Sequence, residues 1–162
     1  MGIKSYIVNF LKFLKHGGVK YVSVTFTNPD ARYTNKKVFI SGGSEGLGRA
    51  MAKAYLAEGA EVIVTGRSKE KLSNFQLSES NAKLHTLVWD ALDFDSYKQK
   101  FDEAVSMMGR IDIFVNNVGG GMSKYEPWNA YTAEVLDRTY DINTKSMFLM
   151  CQMEGLYMID NK

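Results

Sequence analysis

Ser41-Gly42-Gly43-Ser44-Glu45-Gly46-Leu47-Gly48 lies between an apolar run, Lys37-Val38-Phe39-Ile40, and a stretch of helical periodicity from about Leu47 to Glu58. Glycines at 42, 46 and 48 let a backbone turn sharply, approach a bound group closely and pack a helix tightly against a strand. A helix beginning there aims its unpaired N–H groups and positive dipole end at whatever sits before it, an arrangement suited to a diphosphate. A second apolar run, Glu61-Val62-Ile63-Val64-Thr65, comes next. Strand, glycine turn, helix and strand in that order predict a dinucleotide-binding unit rather than a bare structural turn.

Farther along, Ser68–Leu72 reads as a short helix and Gln76–Asn81 as a polar loop. Lys83–Trp89 alternates as a third strand, and Asp95–Met108 follows as a helix with Tyr97, Phe101, Ala104, Val105 and Met108 on one face. Ile111–Val115 is a continuous apolar run, as expected for a parallel strand covered on both sides. Asn116–Asn129 reads as a glycine-bearing loop. Tyr131 to about Tyr157 is helical in pattern, with Val135, Leu136, Thr139, Ile142, Met147 and Met150 as buried candidates. Strands alternating with helices predict an α/β domain with a doubly wound parallel sheet in the order 3-2-1-4. That order is incomplete, because the strand at Ile111–Val115 would normally have a parallel neighbour on its far side.

The 162 residues, 45% of them hydrophobic, support one domain with a real core. The net charge of +2 indicates no global pull toward nucleic acid or anionic membrane. The single cysteine, Cys151, excludes an internal disulfide, suits a reducing compartment and reads as a small core residue. Metal-ligand spacing is absent from the sequence. Residues 1–35 read as an extension and 36–162 as the nucleotide-binding domain. In the extension, Ile3, Tyr6, Ile7, Phe10, Leu11 and Leu14 recur at helical spacing, and residues 1–20 carry four lysines and no acid. Two readings stay open: a helix packed on the domain or a partner, or a basic amphipathic anchor on a membrane surface. Val22–Thr34 reads as a short strand or linker. The expected location is cytoplasmic, with or without peripheral membrane contact.

With these positions in hand, the chain from about Lys37 to Asp160 resembles the short-chain dehydrogenase/reductase family, N-terminal part. The family's Thr-Gly-x-x-x-Gly-x-Gly matches Ser41 to Gly48, with serine for threonine. The resemblance places Gly42, Ser44, Glu45, Gly46, Leu47 and Gly48 at a coenzyme's diphosphate in a Rossmann-like fold. The acidic residue after the third strand, which touches adenine in the family, matches Asp90, followed by Ala91. A carboxylate there also suits the capping of a turn. The family's Asn-Asn-Ala-Gly matches Asn116-Asn117-Val118-Gly119, and its catalytic asparagine matches Asn143. Mid-helix asparagine costs helix propensity, which fits a role such as holding a water or bending the helix.

The resemblance implies a nicotinamide dinucleotide, NADP(H) in preference to NAD(H). Relatives that bind NAD place an acid at the end of the second strand, where it meets the ribose 2′-hydroxyl. Gly66 stands there in this chain, and Arg67 beside it offers a charge-assisted contact to a 2′-phosphate. Glu45 argues the other way, unless it points outward or pairs with Arg67.

Family members reduce a carbonyl, or oxidise an alcohol, by hydride transfer. A serine and a Tyr-x-x-x-Lys assist, the lysine drawing a phenol of pKa ~10 toward neutrality. No Tyr-x-x-x-Lys follows Asn143, and the one at Tyr33–Lys37 precedes the first strand. The expectation is therefore the NADP(H)-binding portion of such an oxidoreductase, truncated and inactive by itself. The alternative is a non-catalytic dinucleotide-binding or interaction module. Homo-oligomers and a small carbonyl or alcohol substrate are expected only of the complete protein.

Overall fold

The computed structural model describes residues 32–121, 129 and 131–161. The readings of residues 1–20, of most of Val22–Thr34 and of the loop's middle lie outside them. Four strands form one parallel sheet: β1 (Lys37–Ser41), β2 (Glu61–Gly66), β3 (Leu84–Val88) and β4 (Ile113–Asn116), in the order β3-β2-β1-β4. The expected order is the observed one. Helices α1 (Gly46–Ala57), α2 (Lys69–Glu79) and α3 (Tyr97–Met108) alternate with the strands, and α4 (Ala133–Tyr140) and α5 (Ser146–Asp160) follow β4.

The strands read as unbroken apolar runs because successive side chains serve two separate cores. Val38, Ile40, Val62 and Val64 point to one face, where Ala52, Leu72 and Phe75 cover them. Phe39 and Ile63 point to the other, toward Leu87, Trp89, Phe101, Ala104, Met108 and Met150. Phe39 is 1% exposed, with its ring 6.0 Å from Trp89 and 5.8 Å from Phe114. In register, Phe39 sits between Ile63 of β2 and Phe114 of β4.

Several local expectations need correction. The second helix does not stop at Leu72, and Gln76–Glu79 is helical rather than loop. Ser68 caps it by accepting from the Lys71 N–H at 3.3 Å, and Leu72 and Phe75, one turn apart, are its only buried residues. Two anchors are too narrow a stripe to stand out among polar neighbours. β4 is half-buried throughout rather than covered, as befits a strand with one neighbour among the described residues. Cys151 is exposed, as are Leu136 and Met147 at 58% and 46%. The faces of α4 and α5 that bear Leu136, Tyr140, Met147 and Phe148 have no cover among the described residues. Between the two helices Asp141–Lys145 forms a wide π turn.

Candidate functional site

A cleft of about 580 Å³ opens at the carboxyl end of the strands, where doubly wound sheets take their ligands. The turn from β1 into α1 forms its floor. Gly42 and Gly46 adopt φ of 68° and 55°, which side-chain-bearing residues seldom do. A Cβ on Gly46 would meet no protein atom within 4 Å, so the backbone there faces open space. A Cβ on Gly48 would instead overlap the Gly42 carbonyl oxygen and lie 2.6 Å from Asn117 Nδ2. One glycine keeps the approach clear, and the other lets α1 close on the loop. The start of α1 has no side-chain cap and no acidic residue in its first turn, leaving its N–H groups available to an anion.

Of the residues named from sequence, Gly42, Ser44, Glu45, Gly46, Leu47, Arg67, Asp90, Ala91, Asn117, Val118 and Gly119 all line this cleft. Arg67 is exposed and makes no ion pair among the described residues. A Cβ on Gly66 would stand 3.1 Å from Ser44 Oγ, so the position beside Arg67 has little room for an acidic side chain. Glu45 does not pair with Arg67. Its carboxylate meets Lys71 Nζ at 2.6 Å, because the first turn of α2 brings that lysine nearer. Asp90 lines the cleft and also closes a turn, its Oδ1 accepting from the Leu92 N–H at 3.0 Å. Tyr97 underpins the same turn by donating to the Ala91 carbonyl at 2.6 Å. Burial pushes its phenol up to about 12, so it stays a donor.

The opposite wall comes from the end of β4. Asn117 Nδ2 donates to the carbonyls of Ser41 and Gly42 at 3.2 and 2.9 Å. Ser41 Oγ, fully buried, accepts from the N–H groups of Asn117 and Val118 at 3.0 and 3.3 Å. The glycine turn is thus bolted to the asparagine loop, and the fold positions them as one unit.

The family model described as short chain dehydrogenase matches residues 36–162. This chain belongs to the short-chain dehydrogenase family. Levodione reductase of Leifsonia aquatica is 35% identical over 76% of this chain and 47% of its own length. For the 7alpha-hydroxysteroid dehydrogenase of Bacteroides fragilis the identity is 31%, over 75% and 46%. Among solved structures, the 3-ketoacyl-(acyl-carrier-protein) reductase from Brucella melitensis complexed with NADH superposes with a TM-score of 0.73 at 26% identity, covering 80% of this chain and 52% of that one. The chain therefore spans about half the length of the relatives it matches.

Asn143 lies in the π turn, directly behind the cleft lining. Its Nδ2 donates to the carbonyls of Thr139 and Gly120, both at 2.8 Å, and its Oδ1 accepts from the Gly120 N–H at 3.0 Å. The side chain satisfies a backbone carbonyl one turn back and staples the glycine loop to the helix. The sequence reading passed over Arg138, which reaches the cleft from α4 with Ile142. Their four-residue spacing along the helix was the available signal.

It also passed over Glu154 of α5, a buried carboxyl whose Oε2 accepts from Asn116 Nδ2 at 2.6 Å. Burial raises its pKa above the ordinary value, against the opposing effect of the Asn116 amide. Between the unfolded and folded pKa values the native state holds a proton that the unfolded chain has released. This contribution to stability is full below the unfolded pKa and declines as pH rises through the folded one. Glu154→Gln should abolish that decline. Melting temperatures of parent and variant from about pH 4 to 8 should therefore diverge in the variant's favour as pH rises, and parallel curves would refute the buried-acid account.

Proposed function

We propose that residues 36–162 form the NADP(H)-binding portion of an oxidoreductase that interconverts small-molecule carbonyls and alcohols. The observation that carries this reading is the open backbone at Gly46, at the head of an uncapped helix, facing a cleft with Arg67 at its rim. Such a helix end suits a diphosphate. Arg67 suits the added charge of a 2′-phosphate, and Lys71 offsets the Glu45 carboxylate that would oppose it. Asp90 and Ala91 are assigned to the adenine, and Asn117, Val118 and Gly119 to the coenzyme's other half. The coenzyme, when bound, supplies or accepts the hydride. Asn143 is a positioning residue here, holding Gly120 and the loop wall. These residues are assigned binding. The whole protein's substrate is taken to be of the carbonyl or alcohol class, in keeping with the relatives' names, and the complete protein is taken to self-associate.

The test is coenzyme titration of Arg67→Ala. A lost charge-assisted hydrogen bond corresponds to about 1.5–3 kcal/mol, so NADPH affinity should fall by roughly 10-fold or more, with NADH affinity nearly unchanged. Equal losses for both coenzymes would remove Arg67 from the role. Among the described residues no helix is long and apolar enough to cross a membrane. Contact of residues 1–20 with a membrane surface belongs to the same reading.

A further inference from the structure

Two cations line the cleft, Arg67 and Arg138, and the coenzyme reading uses only the first. Arg138 lies on α4, is exposed, and makes no ion pair or side-chain hydrogen bond among the described residues. Its surroundings fix which end of the cleft it serves. Ile142, four residues on, lines the cleft with it, and that spacing puts the two side chains on one face. The Ile142 carbonyl accepts from Ser146 Oγ at 2.7 Å. Ser146 is buried, and its hydroxyl also meets the Tyr97 phenol, which donates to the Ala91 carbonyl at 2.6 Å. Lys145 Nζ sits 4.2 Å from the centre of the Phe94 ring, itself 5.6 Å from the Tyr97 ring. The junction of α4 and α5 is thereby fastened to the segment after β3 that carries Asp90 and Ala91. Arg138 and Ile142 belong to that end of the cleft.

A flat group suits the space these residues bound. A Cβ on Gly120 or Gly121 would meet nothing within 4 Å among the described residues, so the loop beside α4 leaves room. Asn143 ties that loop to α4 through Gly120 and Thr139, so the wall stands before anything binds. Asp90 Oδ1 accepts from the Leu92 N–H, and its other oxygen takes no hydrogen bond from the described residues. That oxygen is free to accept from an amine on a ring edge. A further anion at this end would be repelled by the same carboxylate, whereas a neutral ring would not. A guanidinium is planar, weakly hydrated and stacks on aromatic faces, and the Ile142 side chain adds apolar surface beside it.

We propose that Arg138 lays its guanidinium against the adenine face of the coenzyme, with Ile142 extending the same surface. The proposal rests on the coenzyme reading above and adds to it a residue that grips both coenzymes alike, where Arg67 tells them apart.

Isothermal titration of the 162-residue chain and its Arg138→Gln and Arg138→Lys variants with NADPH, NADH and ADP-ribose tests it. Arg138→Gln should weaken all three by a common factor of about fivefold, the effect of one cation–π contact at a partly exposed site. ADP-ribose shares the loss because it carries the adenine without the nicotinamide. Arg138→Lys should lose nearly as much, since lysine keeps the charge but not the plane. Thermal melts of the three proteins should coincide, because the side chain is exposed and unpaired among the described residues. Full affinity in Arg138→Lys would reduce the residue to a point charge and overturn the proposal. A loss confined to NADPH would move it to the 2′-phosphate, and a loss for NADH that spares ADP-ribose would move it to the nicotinamide half; either overturns the proposal too. A parent that binds none of the three would overturn the coenzyme reading and this one with it. Binding by the parent that Arg138→Gln leaves unchanged would overturn the assignment of Arg138 alone.

Discussion

Gly48→Ala should all but eliminate coenzyme binding while leaving a weakened fold. The added methyl would overlap the Gly42 carbonyl oxygen and crowd Asn117 Nδ2. Neither neighbour is the loose end of a flexible side chain. The first is backbone, and the second already donates to Ser41 O and Gly42 O. Relief requires α1 to lift from the turn, which moves the Gly46 and Leu47 amides away from the cleft. Overpacking of this kind costs about 1–3 kcal/mol in stability. The affinity loss should be larger, because every N–H group proposed to meet the diphosphate moves together. Isothermal titration beside a thermal melt separates the two effects. Unchanged affinity in a folded variant would mean that this turn does not hold the diphosphate.

Phe39→Ala should produce the greatest loss of stability. The ring lies between Trp89 and Phe114 on the sheet's central strand, and removing such a side chain costs about 3–5 kcal/mol. Domains of this kind have only about 5–15 kcal/mol in total. Urea denaturation should show the midpoint moving far toward zero, with Phe39→Leu retaining more of it. A change below about 1 kcal/mol would contradict the packing described.

The strand order and the glycine turn were legible because their signals are local and strong. Val38–Ile40 and Val62–Val64 are apolar on both faces, and only a sheet covered on both sides explains that. Most of the cleft-lining residues were legible through the motifs on which the family resemblance rests. What escaped depends on contacts between distant residues. The Glu45–Lys71 pair joins residues from different helix–strand units, and no periodicity announces it. Glu154 looked like one more polar residue on a helix, and its burial follows only from how α5 lies against β4 and Asn116. Leu136 and Met147 carried the apolar pattern expected of core positions, yet the described residues leave them uncovered. Apolar periodicity marks a face that tends to be covered without saying what covers it.

The bolts between Ser41, Gly42 and Asn117 join positions 75 and 76 residues apart. A ribosome adding about 5–20 residues per second delivers Gly42 several seconds before the asparagine that locks it. During that interval the first strand–helix–strand unit can form, but the cleft at its end lacks one wall. Biosynthesis therefore imposes an order on this site. The nascent turn waits, unlatched, for a strand made later to arrive alongside it.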